Sequence, residues 1–196
     1  MGYSSFKKLQ QVNDKFGLTE RLADLFPKIK SVKPSAWLLR SLEIAYEMPL
    51  TNEKVKGEKL ISPLLSEVAH LYKDKITLFS GEDITVNSDL TGPCDFIFAL
   101  HPPKIIVEAP VISLVEAKDE DMEYGVAQCA AQMYGAKLFN DNKLKPVDII
   151  YGCATTGVEW KFLKLENNVI HIDRKSYTLI PQILGVWSYI IKSYLI

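Results

Sequence analysis

Residues 110–128 read PVISLVEAKDEDMEYGVAQ, and the fold turns on what this stretch does. The apolar run Val111-Ile112-Ser113-Leu114-Val115 has the pattern of a buried strand. It ends not on a turn but on Glu116-Ala117-Lys118, and charges at the end of a buried strand are costly unless paired or used. Side chains two apart on a strand point to the same side, so Glu116 and Lys118 can face one pocket. A helix follows, expected from about Glu120 to Phe139, with Asp119-Glu120-Asp121 in or just before its first turn. The helix dipole favours acids there, so these three are read as a helix start before they are read as metal ligands.

Outward from this stretch, residues from about Ser4 to Glu47 read as helical pieces broken at Pro27 and Pro34. A further helix is expected from about Glu53 to Tyr72, kinked or restarted at Pro63. Leu60, Leu64, Glu67 and Leu71 share one stripe of it, so a glutamate falls on the face that should be buried. Strands are expected at Ile76–Phe79 and Ile84–Val86 around a Ser80–Asp83 turn, then at Asp95–Leu100 and from Ile105 to Val115 around Pro110. Beyond the central helix come strands at Val147–Ala154 and Val158–Leu165, a tight turn at Asn167-Asn168, a strand at Val169–Ile172 and a closing helix from about Pro181 to Leu195. This order predicts an α/β chain with a mixed central β-sheet flanked by helices, not a regularly alternating doubly wound fold.

The chain has 196 residues, which fits one domain with a real core. Residues 1–50 are expected to form an N-terminal helical extension and residues 53–196 the core. Net charge is -1, so any nucleic-acid surface must be local. Only Arg21, Arg40 and Arg174 are arginines, which disfavours base-specific readout. Cys94, Cys129 and Cys153 are far apart and form no CxxC pair, so reduced thiols are the simplest reading. MGYSSFKKLQ lacks an apolar signal region, and the apolar stretch Gly185–Ile196 is interrupted by Lys192 and too short to span a bilayer. A cytoplasmic location without membrane contact is the expectation. His70, His101 and His171 show no ligand spacing, and no GxSxG, Walker or GxGxxG pattern is present.

Four residues make a constellation. Asp95 opens one apolar strand, Glu116 and Lys118 close another, and Glu67 lies on the buried stripe of the preceding helix. If the two strands are neighbours, two carboxylates and an ammonium converge. Hard oxygen ligands with room for waters suit magnesium or manganese, and a metal there would assist phosphodiester hydrolysis. PCDFIFAL followed by VISLVEAK resembles the PD-(D/E)XK nuclease superfamily, with its restriction-endonuclease-like fold, over about Glu53 to Leu165. The TTG…WKFLKLE hairpin is similar to that of uncharacterised bacterial members. The resemblance implies that Asp95 and Glu116 are metal ligands, with Glu67 a direct or water-mediated one and the Ala117 carbonyl a further candidate. It implies that Lys118 orients the attacking water and that Gln128 holds substrate or a neighbouring motif residue. The cofactor would be Mg2+ or Mn2+ and the partner a nucleic acid, DNA the first candidate. A homodimer through the apolar C-terminal helix is a further arrangement of this kind. Here Pro93 precedes Cys94 rather than the aspartate, and no tyrosine follows four residues after Gln128.

Plainer readings stand beside these. Glu116 and Lys118 could be a solvated ion pair, Asp95 a turn residue, Glu67 the partner of a lysine, and Gln128 with Gln132 a solvated helix face. Lys54, Lys56, Lys59, Lys161 and Lys164 could contact phosphates or simply face solvent. The alternative function is a catalytically inactive nucleic-acid- or protein-binding module of the same fold, and a third is an interaction protein whose acids only cap a helix.

Overall fold

The computed structural model describes residues 2–195. Among these, seven strands form one open mixed sheet in the order β1-β7-β6-β5-β4-β3-β2. The strands are β1 (Thr19–Ala23), β2 (Thr77–Asp83), β3 (Pro93–Ala99), β4 (Val111–Ala117), β5 (Ile149–Thr155), β6 (Trp160–Glu166) and β7 (Val169–Tyr177). The helices are α1 (Leu9–Phe16), α2 (Ala36–Tyr46), α3 (Glu53–Lys56), α4 (Ser62–Leu71), α5 (Met122–Asn142) and α6 (Ile180–Ser193). Strands β2, β3 and β4 run antiparallel in turn, and α5 then crosses over so that β5 joins β4 in parallel.

All seven residues of β4 are buried, because apolar layers cover both sheet faces. On one face Leu38, Leu42, Leu65 and Trp187 from α2, α4 and α6 pack on Phe98, Val115 and Phe162. On the other, Val12, Ala130 and Met133 from α1 and α5 pack on Ile97, Leu114 and Leu163. The apolar face of α6 packs inside its own chain, with Ile183, Leu184, Val186, Ile190 and Ile191 buried, while Tyr189 is 48% exposed.

Several expectations are corrected. Residues 19–23 are not helical: they add β1 to the sheet edge, parallel to β7, with Arg21 opposite His171. The N-terminal segment is therefore built into the sheet and both cores, through Tyr3, Val12 and Leu38, rather than appended to them. Ser80–Asp83 is not a turn but the second half of β2, paired across to Phe96 and Pro93, and the chain turns later, where Asn87 Oδ1 accepts from the N–H groups of Asp89 and Leu90. Residues 105–110 lie outside the sheet, with Ile105 96% exposed. The helix from residue 53 is continuous only through a π-turn at Gly57–Ile61, where the Ser62 N–H donates to the Gly57 carbonyl, and Pro63 stands in the first turn of α4. Leu60, Leu64 and Glu67 are buried as the stripe required, but Leu71 is 49% exposed.

The β1–β7 edge carries a titratable contact. Arg21 Nε donates to His171 Nδ1 at 3.1 Å, which needs a neutral imidazole with that nitrogen bare. Burial, then the Lys164 and Arg21 charges, hold His171 below its ordinary value against the pull of Glu166. The folded chain therefore binds this proton less tightly than the unfolded one. The contact's stability is full above the ordinary histidine value and is lost as pH falls through the lowered one. Between about pH 7.5 and about pH 5, the melting temperature of the wild type should fall further than that of His171→Gln, which keeps an acceptor without the titration. Equal falls in thermal denaturation would remove His171 from the pH dependence.

Candidate functional site

Three of the predicted residues meet at one end of the sheet. Phe96 pairs with Val115 and Ile97 with Leu114, so one step further along this register Asp95 lies across from Glu116. Asp95 Oδ2 accepts the Ala117 N–H at 2.7 Å, which ties the start of β3 to the end of β4. Lys118 turns back on its own strand and donates from Nζ to Glu116 Oε1 at 2.6 Å, while its backbone N–H donates to the Thr155 carbonyl of β5. The other Glu116 oxygen, Oε2, accepts from Gln132 Nε2 of α5 at 2.7 Å. Glu116 is only 1% exposed, so both oxygens are satisfied by protein in a sealed position.

Beside this cluster opens a cleft of about 410 Å³ between α3, the π-turn and the ends of β2 to β4. Asp95 and Ala117 form part of its lining, with Glu53 and Glu58 from the helical wall and Gly81 of β2. Gly81 sits in the left-handed region at φ +71, where a glycine is unstrained, and leaves the strand bare where it passes Asp95. Glu53 Oε1 is 3.7 Å from Lys118 Nζ, so a third carboxylate borders the same ammonium.

The electrostatics share one sign. Burial raises Asp95 above its ordinary carboxylate value despite the Ala117 N–H and the Lys118 charge. Burial, then the Asp95 charge, raises Glu116 to about 7 against the opposing pull of Lys118 and Gln132. Burial alone would lower Lys118, but Glu116, Glu53 and Asp95 outweigh it and hold the ammonium above its usual range. Burial is the first cause for both raised carboxyls, while the Lys118 ammonium is bordered by Glu116 and Glu53 and Lys54 lines the cleft wall.

Glu67 is corrected. It is buried as expected, but its carboxylate accepts from the Ser35 backbone N–H at 2.8 Å and the Ser35 hydroxyl at 2.7 Å, just where Ser35 caps α2. It lines a separate hollow with Trp37 and His70, not the cleft that holds Asp95. The helical acid beside Lys118 is Glu53, which gives no signal in sequence beyond following the Asn52 cap of α3. Gln128 is likewise displaced: it is buried with its Oε1 lacking a protein partner, and Gln132, one turn on, takes the contact with Glu116. Among the five lysines, Lys54 lines the cleft, Lys56 bonds Asp119, Lys161 reaches the Arg174 carbonyl and Lys164 pairs with Glu166. The acidic run behaves as a helix start, with Asp121 Oδ1 accepting the Tyr124 N–H.

Among the described residues, no group of three or more histidine, cysteine, aspartate or glutamate side chains is close enough to hold a metal ion. Asp95 and Glu116 are carboxylates opposed across the β3–β4 pair, and Asp95 Oδ1 accepts no protein hydrogen bond among the described residues. No helix of the described chain is long and apolar enough to cross a membrane. No protein-family model matches the chain, and no curated protein matches it either.

Glu67→Ala leaves the Ser35 N–H and hydroxyl without their acceptor, so it should cost about 1–3 kcal/mol in chemical denaturation. Manganese affinity measured by calorimetry should stay unchanged in that variant and drop in Glu53→Gln. The opposite pattern would restore Glu67 to the site.

Proposed function

We propose that the Asp95–Glu116–Lys118 cluster is the site of divalent-metal-dependent hydrolysis of nucleic-acid phosphodiesters, of the PD-(D/E)XK type, with DNA the first candidate substrate. The observation that carries this reading is the meeting of Asp95 and Glu116 on adjacent antiparallel strands, with Lys118 hydrogen-bonded to Glu116 beside a cleft that Asp95 lines. The mixed sheet, covered by helices on both faces and crossed by α5 directly after the Glu-Ala-Lys stretch, supports a restriction-endonuclease-like assignment.

Asp95 and Glu116 would hold Mg2+ or Mn2+, with the Ala117 carbonyl beside them and Glu53 in the place that the resemblance gives to Glu67. When bound, such an ion neutralises charge building on the phosphoryl oxygens. Lys118 has three N–H donors and orients the attacking water, whose oxygen bonds to phosphorus as the bond to the leaving sugar oxygen breaks, the water's proton passing to solvent and the departing oxygen taking one from it. Gln132 keeps Glu116 Oε2 in place, so the strand end stays ordered when Lys118 turns to the water. Lys54 on the cleft wall offers a phosphate contact that fixes position without reading sequence.

One observation favours the second reading, an inactive binding module of the same fold. Glu116 lies behind the cleft lining with both oxygens already bonded to protein. Cleavage of labelled single- and double-stranded DNA and RNA in magnesium or manganese separates the two. The wild type should cleave, and Asp95→Asn, Glu116→Gln and Lys118→Met, each folded by circular dichroism, should lose about 10²-fold or more. No cleavage together with no calorimetric manganese binding would sink the hydrolytic reading and leave the binding module.

A further inference from the structure

Lys118 leaves the end of β4 on a long flexible stem, and the first turns of α5 shape the space it occupies. At Gly125 a Cβ would stand 2.9 Å from Lys118 Cγ and 3.2 Å from the Ala154 Cβ, so only the absence of a side chain lets the lysine pass between helix and β5. The preceding residue, Tyr124, places its ring centroid 5.0 Å from Lys118 Nζ, inside the roughly 6 Å over which a ring face attracts a cation. That ring is itself held in place. The Tyr124 hydroxyl donates to the Ser4 carbonyl at 2.9 Å, its backbone N–H donates to Asp121 Oδ1, and Lys7 Nζ lies over the same ring, 3.9 Å from its centroid.

Core packing does not account for this arrangement, because Tyr124 is only half-buried. The other neighbours of the ammonium are carboxylates: Glu116 at 2.6 Å and Glu53 at 3.7 Å. With acids alone, a four-carbon stem would follow whichever carboxylate is nearest. The Tyr124 ring face adds an uncharged attraction to the ammonium in the position it holds beside Glu116.

We propose that Tyr124 is a positioning residue for Lys118 in the hydrolysis proposed above, a role that rests on that reading. Its ring, admitted beside the lysine by the bare Gly125, holds the ammonium near the site, and the tether to Ser4 holds the ring.

Steady-state cleavage by Tyr124→Leu and Tyr124→Phe tests this. Losing the ring should lower kcat in the Leu variant by roughly 3- to 30-fold with KM little changed. The Phe variant keeps the ring and should keep kcat close to wild type. If the role were only to anchor the N-terminal segment, both variants would lose the Ser4 tether and fall together, which would overturn the inference. A second readout needs no activity. In protein labelled with 13C-lysine, the Lys118 ε-methylene resonance, identified by its loss in Lys118→Met, should be ring-shifted in wild type and Phe and move toward the free-lysine position in Leu. An unmoved resonance in Leu overturns the proposal. Cleavage by the wild type that the Leu variant matches overturns this role alone, whereas a wild type that cleaves nothing overturns the hydrolytic reading and this role with it.

Discussion

Glu116 closes a strand in which every residue is buried, and a carboxylate there must be given hydrogen bonds and counter-charge. Much of the surrounding architecture meets that demand. Lys118 folds back from the next position on the same face, and Gln132 reaches in from α5. For Gln132 to reach, α5 must lie close over β4, and its buried residues are accordingly rich in small side chains, Ala127, Ala130, Ala131 and Ala136 among them, with Met133 and Cys129 also buried. The parallel crossover to β5 keeps the helix there, and the Thr155 carbonyl of β5 in turn takes the Lys118 N–H. One buried acid thus links the strand, the crossover helix and the next strand.

The parts of the fold legible in sequence are those that local chemistry specifies. The apolar run before Glu116, the acid cap of α5 and the Asn167-Asn168 turn need no distant partner. Both asparagines take positive φ, 50 and 59, as a tight hairpin requires. Strand β1 was hidden for the opposite reason. Thr19-Glu20-Arg21-Leu22-Ala23 is mostly exposed and has no alternating pattern; it is a strand because β7 offers it a parallel ladder from the far end of the chain. The second half of β2 was hidden because Ser80-Gly81-Glu82-Asp83 has turn composition but lies on an exposed sheet edge, where polar residues are tolerated.

The candidate site divides along the same line. Asp95, Glu116 and Lys118 were legible because strand period and strand ends place them together. Glu67 was read as buried and is buried, but a buried acid that caps a neighbouring helix and one that binds a cation look alike in sequence. Only the path of residues 27–36, which brings Ser35 to it, decides between them. The choice between Gln128 and Gln132 rests on depth along α5: a single turn, about 5.4 Å, moves the contact from one to the other.

Charge then ties the site to its proposed use. In the arrangement described here Lys118 supplies the positive charge that Asp95, Glu116 and Glu53 lack, and it does so by occupying an oxygen of Glu116. A binding module asks nothing further of that contact, since a satisfied buried pair is sufficient reason for it. Hydrolysis asks for more: Lys118 must give up Oε1 and still remain where a water can be oriented. Two acids would only draw it back. A tethered aromatic ring within cation–π range, beside a glycine that clears the stem, adds an attraction for the same ammonium that the acids hold, and on the hydrolytic reading it is the contact that stays when the Glu116 pairing is given up.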